Sequence, residues 1–341
     1  MLGLRAQGHR AVLVAHPEGE LFRRASEGPD LFPLAPMNEI DLATAWKLSK
    51  LVRKWQPEIV HAHDPHAVSM AALGLSFGAP EPRPKIVASR RVDFHLQSHA
   101  FSQWKYRQVD GFIAASRAIK DILVQDHIPA GRIEVVHDGI DVEKIQHRPA
   151  LDLHAEYWLP HGVPVIVNVG ALVGHKGQRF LIDAMPLVLR EVPDAHLIVF
   201  GEGDLRIALE RQIKSLSLTK RVLLPGFRED VLSLMKSADL FVMSSVTEGL
   251  GSAVLDAMAM GLAVVGTTAG GIPEAVVPGV TGELVPPSDA KPLAAAIVKL
   301  LKTPDLRRNY GDAGRNHVAA NFGVDKLVEG TLACYRRFAQ G

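Results

Sequence analysis

The sequence predicts an α/β protein with two doubly wound parallel sheets, one after the other along the chain. Short β-branched runs alternate with amphipathic stretches throughout the 341 residues, as in a sheet wound by crossover helices. At roughly 150 residues per domain, this length corresponds to about two domains. A composition of 47% apolar and 22% charged residues is typical of a globular protein and excludes disorder or a fibrous repeat.

Two series of strands are predicted, because each run is short, apolar and bounded by turn residues. The first series lies at residues 11–15, 58–61, 85–89, 111–115 and 133–137. The second lies at residues 163–169, 195–200, 222–224, 240–244, 263–266 and 282–285. Two tandem sheets account for both series.

The connection between the two series predicts the domain boundary. Residues 138–162 contain several prolines and charges without a clear period, which indicates an interdomain segment. We therefore expect a first domain at residues 1–155 and a second at residues 156–323. Residues 324–341 predict a last helix with one apolar stripe, which could pack on either domain, including a return to the first.

The beginning of the sequence departs from this pattern. Residues 2–7 read as the end of a helix stopped by Gly8, and the strand at 11–15 follows at once. In a doubly wound sheet such a helix follows a strand, so a first strand is missing. Either the start is misassigned or the strand has been lost, and we favour a misassigned start.

Charge, cysteine content and hydropathy exclude several classes of function. The 38 Lys and Arg against 37 Asp and Glu leave a net charge of +1, so no global field attracts nucleic acid. The single cysteine, Cys334, excludes an internal disulfide and a Cys-based zinc site, and it suits a reducing compartment. With neither a secretory leader nor a run of roughly 20 apolar residues, we expect a cytoplasmic protein.

The first candidate binding segment, residues 163–177, is a buried strand that runs into a glycine-bearing loop and then a helix. Backbone N–H groups and a helix N-terminus at such a strand end favour an anion, and Lys176 adds a full positive charge. The alternative is that Gly170, Gly174 and Gly177 only form turns and Lys176 is solvated. Because Lys176 is not followed by Ser or Thr, this is not a Walker loop.

The second candidate segment, residues 244–259, again joins a strand end to a helix. Glu248 lies in the loop, Gly249 and Gly251 let the backbone approach a ligand, and Asp256 follows one to two turns into the helix. Since a carboxylate accepts two hydrogen bonds from vicinal hydroxyls, this acidic pair fits a sugar and a ribose. The alternative is that Glu248 is an exposed loop acid and Asp256 a charge on the helix surface.

A third candidate segment is rich in histidine. His61 and His63 alternate at a strand end and therefore face the same way. One interpretation is a metal-dependent hydrolase with ligands His61, His63, Asp64 and His66, although the order differs from that of metallo-hydrolases. The other is that His61 is a core histidine while His63, at the strand tip, meets a substrate.

Two basic features complete the candidates. Arg90 and Arg91 follow the strand at 85–89, where they could bind the phosphate of an acceptor or pair with nearby acids. An amphipathic helix predicted at Leu42–Trp55 carries basic residues on one arc: Lys47, Lys50, Arg53 and Lys54. A solvated charged face is one interpretation, and contact with an anionic bilayer is the other.

Taken together, these residues resemble the retaining family 4 glycosyltransferases over nearly the whole chain. The most specific match is the acidic segment, where the family shows E-x7-E and this chain has Glu248 and Asp256. Supporting matches follow the order of the family: His63-Asp-Pro65, Asp138-Gly-Ile-Asp141, Gly170 with Lys176-Gly177, and Ala269-Gly-Gly-Ile-Pro-Glu274. The resemblance implies the GT-B fold, in which two Rossmann-like domains, the acceptor side first and the donor side second, face each other across a cleft.

The resemblance also implies a reaction and a set of site residues. A sugar would pass from a nucleoside diphosphate sugar to an acceptor hydroxyl with retention of configuration, without a metal or other cofactor. Lys176 would neutralise the diphosphate, Glu248 would orient the sugar, and His63 would lie beside the reacting centre. Asp256 would bind the ribose, and the other donor-binding residues would be Gly170, Gly249, Leu250, Gly251 and Ser252. The acceptor would be a sugar or a lipid-linked precursor of a cell-envelope polysaccharide or glycolipid, with Arg90 and Arg91 on the acceptor side. The helix at Leu42–Trp55 would provide peripheral contact with the inner face of the membrane.

Three departures from the family pattern leave alternatives open. Ala171 stands where the family commonly has Arg, and a neighbour such as Arg179 or Arg206 could replace that charge. Asp256 is one methylene shorter than the usual Glu, and the missing first strand removes a glycine-rich loop. A non-catalytic nucleotide-sugar binding module, and an epimerase of the same two-domain build, are therefore the alternatives beside the metal-dependent hydrolase.

Overall fold

The computed structural model describes residues 1–25 and 30–340. The chain divides into two compact units, residues 1–137 with 324–341 and residues 138–323. The first unit begins with α1 (Leu2–Ala6), β1 (Leu13–Ala15), α2 (Glu20–Ala25), β2 (Leu31–Pro33), α3 (Leu42–Trp55), β3 (Ile59–Ala62), α4 (Pro65–Ser76), β4 (Lys85–Arg90), α5 (Ala100–Arg107), β5 (Gly111–Ala114), α6 (Arg117–Gln125) and β6 (Ile133–Val135).

The second unit begins with two short helices and continues with alternating strands and helices. Its elements are α7 (Val142–Gln146), α8 (Leu153–Glu156), β7 (Val165–Val169), α9 (Gln178–Glu191), β8 (His196–Phe200), α10 (Arg206–Ser215), β9 (Val222–Gly226), α11 (Val231–Met235), β10 (Leu240–Met243), α12 (Ser252–Ala259), β11 (Val264–Thr267), α13 (Ile272–Ala275), β12 (Gly282–Val285), α14 (Ala290–Lys302) and α15 (Pro304–Asn321). The last helix, α16 (Val324–Gln340), belongs to the first unit.

The main sheet of the first unit has four parallel strands in the order β3-β4-β5-β6. Helix α3 packs on α4, and Leu48 and Val52 of α3 join Ile86 and Phe112 of the sheet in one buried cluster. Side chains cap the helices, as where the Asp64 carboxylate accepts from the Ala67 N–H at the start of α4. These caps fix where each strand end turns into its helix.

The strand at the beginning of the chain lies outside this main sheet. Strand β1 pairs in parallel with β2, a strand that the sequence analysis did not predict, in a separate two-stranded sheet. Among residues 1–25 and 30–340, no strand hydrogen-bonds to both β1 and β3. The expectation that residues 11–15 belong to the main sheet is therefore wrong, because their hydrogen-bonding partner is residues 31–33.

Helix α16 covers the other face of the main sheet of the first unit. Cys334 and Phe338 of α16 are buried with Val87 and Ile113 of the sheet. A Cβ at Gly111 would lie 2.4 Å from the Phe338 ring, so only glycine allows this approach. The chain therefore returns to the first unit through a close helix-to-sheet contact.

The second unit contains a single six-stranded parallel sheet in the order β12-β11-β10-β7-β8-β9. Apolar side chains fill both faces, with Leu181 of α9 and Ile297 of α14 in one cluster and Phe241 of β10 and Met258 of α12 in the other. The strand order reverses between β7 and β10. In an open parallel sheet, this reversal places a crevice at the carboxyl ends of the two strands.

The chain passes from the first unit to the second at residue 137, whereas the sequence pattern placed the boundary near residue 155. The intervening segment packs on the second unit: Ile145 and Leu153 are buried in its core. Lys236 Nζ donates to the carbonyls of Gln146, at 2.5 Å, and Arg148, at 2.6 Å. Among the residues that the structure describes, no helix is both long enough and apolar enough to cross a membrane.

Candidate functional site

A pocket lies at the reversal of strand order in the second unit, where β7 and β10 end side by side. Its volume is about 250 Å³. The lining comes from the two strand ends, the loops that follow them and the start of α12: Val169, Gly170, Ala171, Lys176, Met243, Glu248, Gly251, Ser252, Ala253 and Asp256. The lysine and the two acids that the sequence singled out therefore line one pocket.

An ion pair between the two loops forms one side of this pocket. Lys176 Nζ donates to Glu248 Oε2 at 2.6 Å, and Ser245 Oγ donates to the same oxygen at 3.0 Å. The Lys176 and Glu248 side chains are 20% and 11% exposed. With little water around it, this charge-assisted hydrogen bond is stronger than one at the surface. Glu248 is thus not an exposed loop acid.

Close backbone contacts hold the two loops together. The His175 carbonyl accepts from the Val246 N–H at 2.7 Å, and Ser244 Oγ donates to the Lys176 carbonyl at 3.2 Å. Gly177 has a φ of +64°, and a Cβ there would lie 2.1 Å from the Ser244 carbonyl oxygen. Glycine at 177 is therefore required both for the turn and for the contact between loops.

A third loop, which precedes α13, holds the backbone of Glu248. The Gly271 N–H donates to the Glu248 carbonyl at 3.0 Å. A Cβ at Gly270, whose φ is +51°, would lie 1.8 Å from the same oxygen. The Ala269-Gly-Gly-Ile-Pro-Glu274 segment therefore supports the acidic loop rather than lining the pocket.

The start of α12 faces the pocket and carries the second acid. Gly251, with a φ of +87°, precedes the helix, and Ser252 in its first turn is exposed. Asp256 lies one turn further along, where burial raises the pKa of its carboxyl from 3.8 to about 6 and the charge of Arg148 opposes that rise. The helix N-terminus therefore favours an anion, while a partly protonated acid lies beside it.

Arg148 is a charged residue near the pocket that the sequence analysis missed. It follows α7, which packs against α12, and its charge acts on Asp256. Its buried Nε has no hydrogen-bond partner in the described part of the chain. No local motif marks this position, because only the packing of the linker on the second unit brings it there.

Other predicted donor-site residues lie outside the pocket lining. Gly249 and Leu250 are buried, and Leu250 belongs to the apolar core beneath α12. Arg206 donates to Glu202 and to the Leu224 carbonyl, both at 2.9 Å, and Arg179 is exposed beside the Phe180 ring. Neither arginine lines the pocket at Ala171, whose carbonyl accepts from Gln178 Nε2 at 3.0 Å.

The histidines of the first unit lie at the carboxyl end of β3. His61 is hydrogen-bonded to Tyr335 and Ser89, and its ring centroid is 4.1 Å from that of His63. The His63 side chain is exposed, yet desolvation of its ring by the surrounding protein, reinforced by the charge of Arg91, lowers the pKa of His63 to about 4. Both rings are therefore neutral near pH 7.

The structure does not support the metal-site interpretation of these histidines. Within residues 1–25 and 30–340, no group of three or more His, Cys, Asp or Glu side chains is arranged to hold a metal ion. His66 is exposed on α4, and the Asp64 carboxylate caps the same helix. The alternation of His61 and His63 instead brings the two rings into a tilted contact, and His61 is hydrogen-bonded on both sides.

Arg90 and Arg91 lie at the end of β4, next to the end of β3 that carries His63. Arg90 Nη2 donates to the Phe94 carbonyl, while its buried Nε has no hydrogen-bond partner in the described chain. Arg91 is exposed and acts electrostatically on His63. The three predicted acceptor-side residues therefore share one edge of the sheet.

Comparison with known proteins gives matches over most of the chain. Residues 1–144 match the family described as Glycosyltransferase Family 4, and residues 152–317 match Glycosyl transferases group 1. One relative is the N-acetyl-alpha-D-glucosaminyl L-malate synthase of Bacillus anthracis, 28% identical over 84% of this chain and 77% of the relative. Another is a GDP-mannose-dependent monoacylated alpha-(1-6)-phosphatidylinositol monomannoside mannosyltransferase of Corynebacterium glutamicum, 34% identical over 60% of this chain and 54% of the relative.

Solved structures share the fold. Anabaena HepE in complex with UDP has a TM-score of 0.82 at 21% identity, over 97% of this chain and 94% of that one. A glycosyltransferase from Rickettsia africae also has a TM-score of 0.82, at 20% identity, over 99% and 92% of the two chains. The expected fold, two Rossmann-like domains of the GT-B type, is confirmed. The expected enzyme class is confirmed too, and the chain belongs to the family 4 glycosyltransferases, which transfer a sugar from a nucleotide sugar.

Proposed function

We propose that the pocket of the second unit binds the diphosphate, ribose and sugar of a nucleoside diphosphate sugar, and that transfer retains the anomeric configuration. The observation that carries this proposal is the convergence of Lys176, Glu248 and Asp256 on one pocket. A cation and a helix N-terminus suit the diphosphate, and two carboxyl groups suit sugar and ribose hydroxyls. The relative that uses GDP-mannose and the HepE complex with UDP agree with this class of donor.

In the proposed reaction, the bond between the anomeric carbon and the diphosphate oxygen breaks while the acceptor oxygen bonds to the same carbon. The leaving diphosphate oxygen gains negative charge as its bond breaks, and it takes the proton that the acceptor hydroxyl loses. In the proposed step Lys176, a residue of the pocket lining, stabilises that charge, and stabilising charge that develops in the transition state is worth several kcal/mol. Glu248, held by Ser245 and Lys176, orients the hydroxyls of the transferred sugar.

Ala171 stands where the family commonly has an arginine, and Arg148 is our candidate for the source of that missing positive charge. Its charge acts on Asp256, and its buried Nε is free of hydrogen bonds within the described chain. Together with Lys176, whose charge Glu248 partly neutralises, it would bring positive charge from protein groups to the diphosphate. We therefore propose a reaction that needs no metal ion, and undiminished turnover in the presence of EDTA would support it.

We propose that the acceptor meets the first unit at the ends of β3 and β4. His63, neutral near pH 7, is able to accept or donate a hydrogen bond to an acceptor hydroxyl. Arg90 and Arg91 supply positive charge on the same edge, which suits an acceptor with a phosphate. Sugars and phosphate-bearing lipid precursors of the cell envelope both fit this description.

Helix α3 and the loop before it supply a surface for an anionic membrane. The inner face of α3 is buried, while apolar side chains protrude at its start: Met37 is 86% exposed, Ile40 55%, Leu42 53% and Trp46 48%. Exposed basic residues follow on the same helix: Lys47, Lys50, Arg53 and Lys54. Apolar groups beside cations fit the headgroup region of an anionic bilayer, so we propose that this surface holds a cytoplasmic enzyme at the inner face of the membrane.

The donor proposal is tested by supplying UDP-, GDP- and ADP-sugars with candidate acceptors and measuring release of the diphosphate and the configuration of the product. Lys176→Met should lower kcat by at least about 100-fold with the preferred donor. Lys214→Met, on an exposed face of α10, is the matched control and should leave kcat unchanged. Binding of a nucleotide sugar without diphosphate release would instead favour the non-catalytic module that Ala171 and Asp256 suggest.

The membrane proposal is tested by sedimentation with vesicles. The protein should bind vesicles that contain phosphatidylglycerol and not vesicles of phosphatidylcholine alone. Combined Lys47→Glu and Lys50→Glu substitutions should abolish that binding, while the same change at Lys214 and Lys291 of the second unit should not. Equal binding of the wild-type protein and the variant with Lys47→Glu and Lys50→Glu to both kinds of vesicle would refute a role for α3.

A further inference from the structure

The last helix of the chain reaches the histidines of β3 through a hydrogen-bonded network. His61 Nδ1 lies 2.6 Å from Tyr335 Oη, and His61 Nε2 lies 2.8 Å from Ser89 Oγ. Tyr335 belongs to α16 and Ser89 to β4, so two elements distant in sequence hold one imidazole. Both ring nitrogens of His61 are therefore occupied, and its plane is fixed.

The fixed ring of His61 in turn contacts His63. The two ring centroids lie 4.1 Å apart with an interplanar angle of 32°. The Tyr335 ring packs edge-on against His61, with centroids 5.5 Å apart and an angle of 87°. A ring contact of this kind favours the observed orientation of the more exposed ring, because a rotated His63 would lose it.

The protonation states suit a positioning role rather than proton transfer by His61. Burial, followed by the charges of His63 and Arg91, lowers the pKa of His61 well below its usual value, and burial raises that of Tyr335. A neutral imidazole has one donor and one acceptor nitrogen. Since either hydroxyl is able to donate or accept, both hydrogen bonds form in either tautomer.

We propose that Tyr335 is a positioning residue, which orients His63 for the acceptor through His61. This inference rests on the proposed role of His63 and goes beyond it, since it assigns a function to a side chain of α16 that acts through His61. The close approach of α16 to β5, which Gly111 permits, brings Tyr335 within reach. A misplaced His63 would lower turnover without changing how the donor binds.

The test is Tyr335→Phe, which removes the hydroxyl and keeps the ring. We expect kcat to fall about 5- to 10-fold while the donor KM changes less than about twofold. The matched control is Thr331→Val, which removes a hydroxyl from the same helix, and it should leave kcat unchanged. That hydroxyl donates to the Leu327 carbonyl of its own helix. Ser89→Ala removes the second hydrogen bond of His61 and should also lower kcat. This variant tests the same network if the Tyr335→Phe protein is unstable.

A second readout does not depend on activity. In the ligand-free protein, the ring-proton NMR signals of His63 should shift in Tyr335→Phe and not in Thr331→Val. Unchanged His63 signals together with unchanged kcat in Tyr335→Phe would overturn the inference. If His63→Ala leaves kcat unchanged, the proposed role of His63 fails instead, and the two failures are thereby distinguished.

Discussion

Asp256 carries an unfavourable charge whose cost follows from the structure. Burial raises the pKa of its carboxyl from 3.8 to about 6, and each pKa unit corresponds to about 1.36 kcal/mol. Between these two pH values the unfolded chain releases a proton that the folded protein keeps. Stability therefore falls as the pH rises through this interval, by about 3 kcal/mol in total. The loss is complete above about pH 7.

Asp256→Asn removes this cost and should stabilise the ligand-free protein in a pH-dependent way. The gain in the free energy of unfolding over wild type should rise from about 1 kcal/mol at about pH 4.5 to about 3 kcal/mol at about pH 7.5. Urea unfolding followed by circular dichroism, at several pH values in that range, measures it. Asp312→Asn, at a 62% exposed acid on α15, is the control for removing one carboxylate from the same unit.

The shape of the pH profile decides the outcome. If the wild-type and Asp256→Asn curves run parallel from about pH 4.5 to about pH 7.5, the carboxyl of Asp256 is not desolvated and the reasoning is refuted. A variant that is less stable than wild type at about pH 7.5 would refute it as well. In that case the charged carboxylate would be stabilised in the folded protein, and Arg148 would outweigh burial.

Two further predictions concern glycines at close contacts. Gly177→Ala places a Cβ 2.1 Å from the Ser244 carbonyl oxygen at a φ of +64°, so it should lower the free energy of unfolding by about 2 kcal/mol or more and weaken donor binding. The control is Gly174→Ala, whose Cβ would have no atom within 4 Å, and it should change neither property. Thermal melts and binding titrations measure the two effects. Gly111→Ala places a Cβ against the Phe338 ring and should destabilise the first unit by about 1–3 kcal/mol. The destabilisation should be detected as faster hydrogen exchange in β5 and α16. Exchange as slow as in wild type would contradict the close contact between Gly111 and Phe338.

The pocket of the second unit could be predicted from the sequence because residues of its lining follow two strand ends. Parallel strands bring their carboxyl ends to one edge, so a lysine after β7 and an acid after β10 had to lie near each other once the strand order reversed between them. Local patterning was enough for this. The ion pair between Lys176 and Glu248 is the direct result.

The features that the sequence pattern missed depend on contacts between distant segments. Strand β2 has only three residues and ends in Pro33, so its pairing with β1 left no periodic signal. The charge of Arg148 acts on Asp256 because the linker packs on α12. Tyr335 meets a histidine 274 positions earlier in the chain. The local sequence around Arg148 and around Tyr335 contains no motif that predicts these interactions, because tertiary packing alone brings the residues together.

The return of α16 has a consequence for how the protein is made. The second unit is one continuous stretch, residues 138–323, and it can complete its core as soon as that stretch has left the ribosome. The first unit emerges earlier, yet it waits with the α16 face of its sheet uncovered until residues 324–340 are synthesised. A nascent chain should therefore show its most chaperone-dependent surface at β4 and β5, for as long as translation of the second unit lasts.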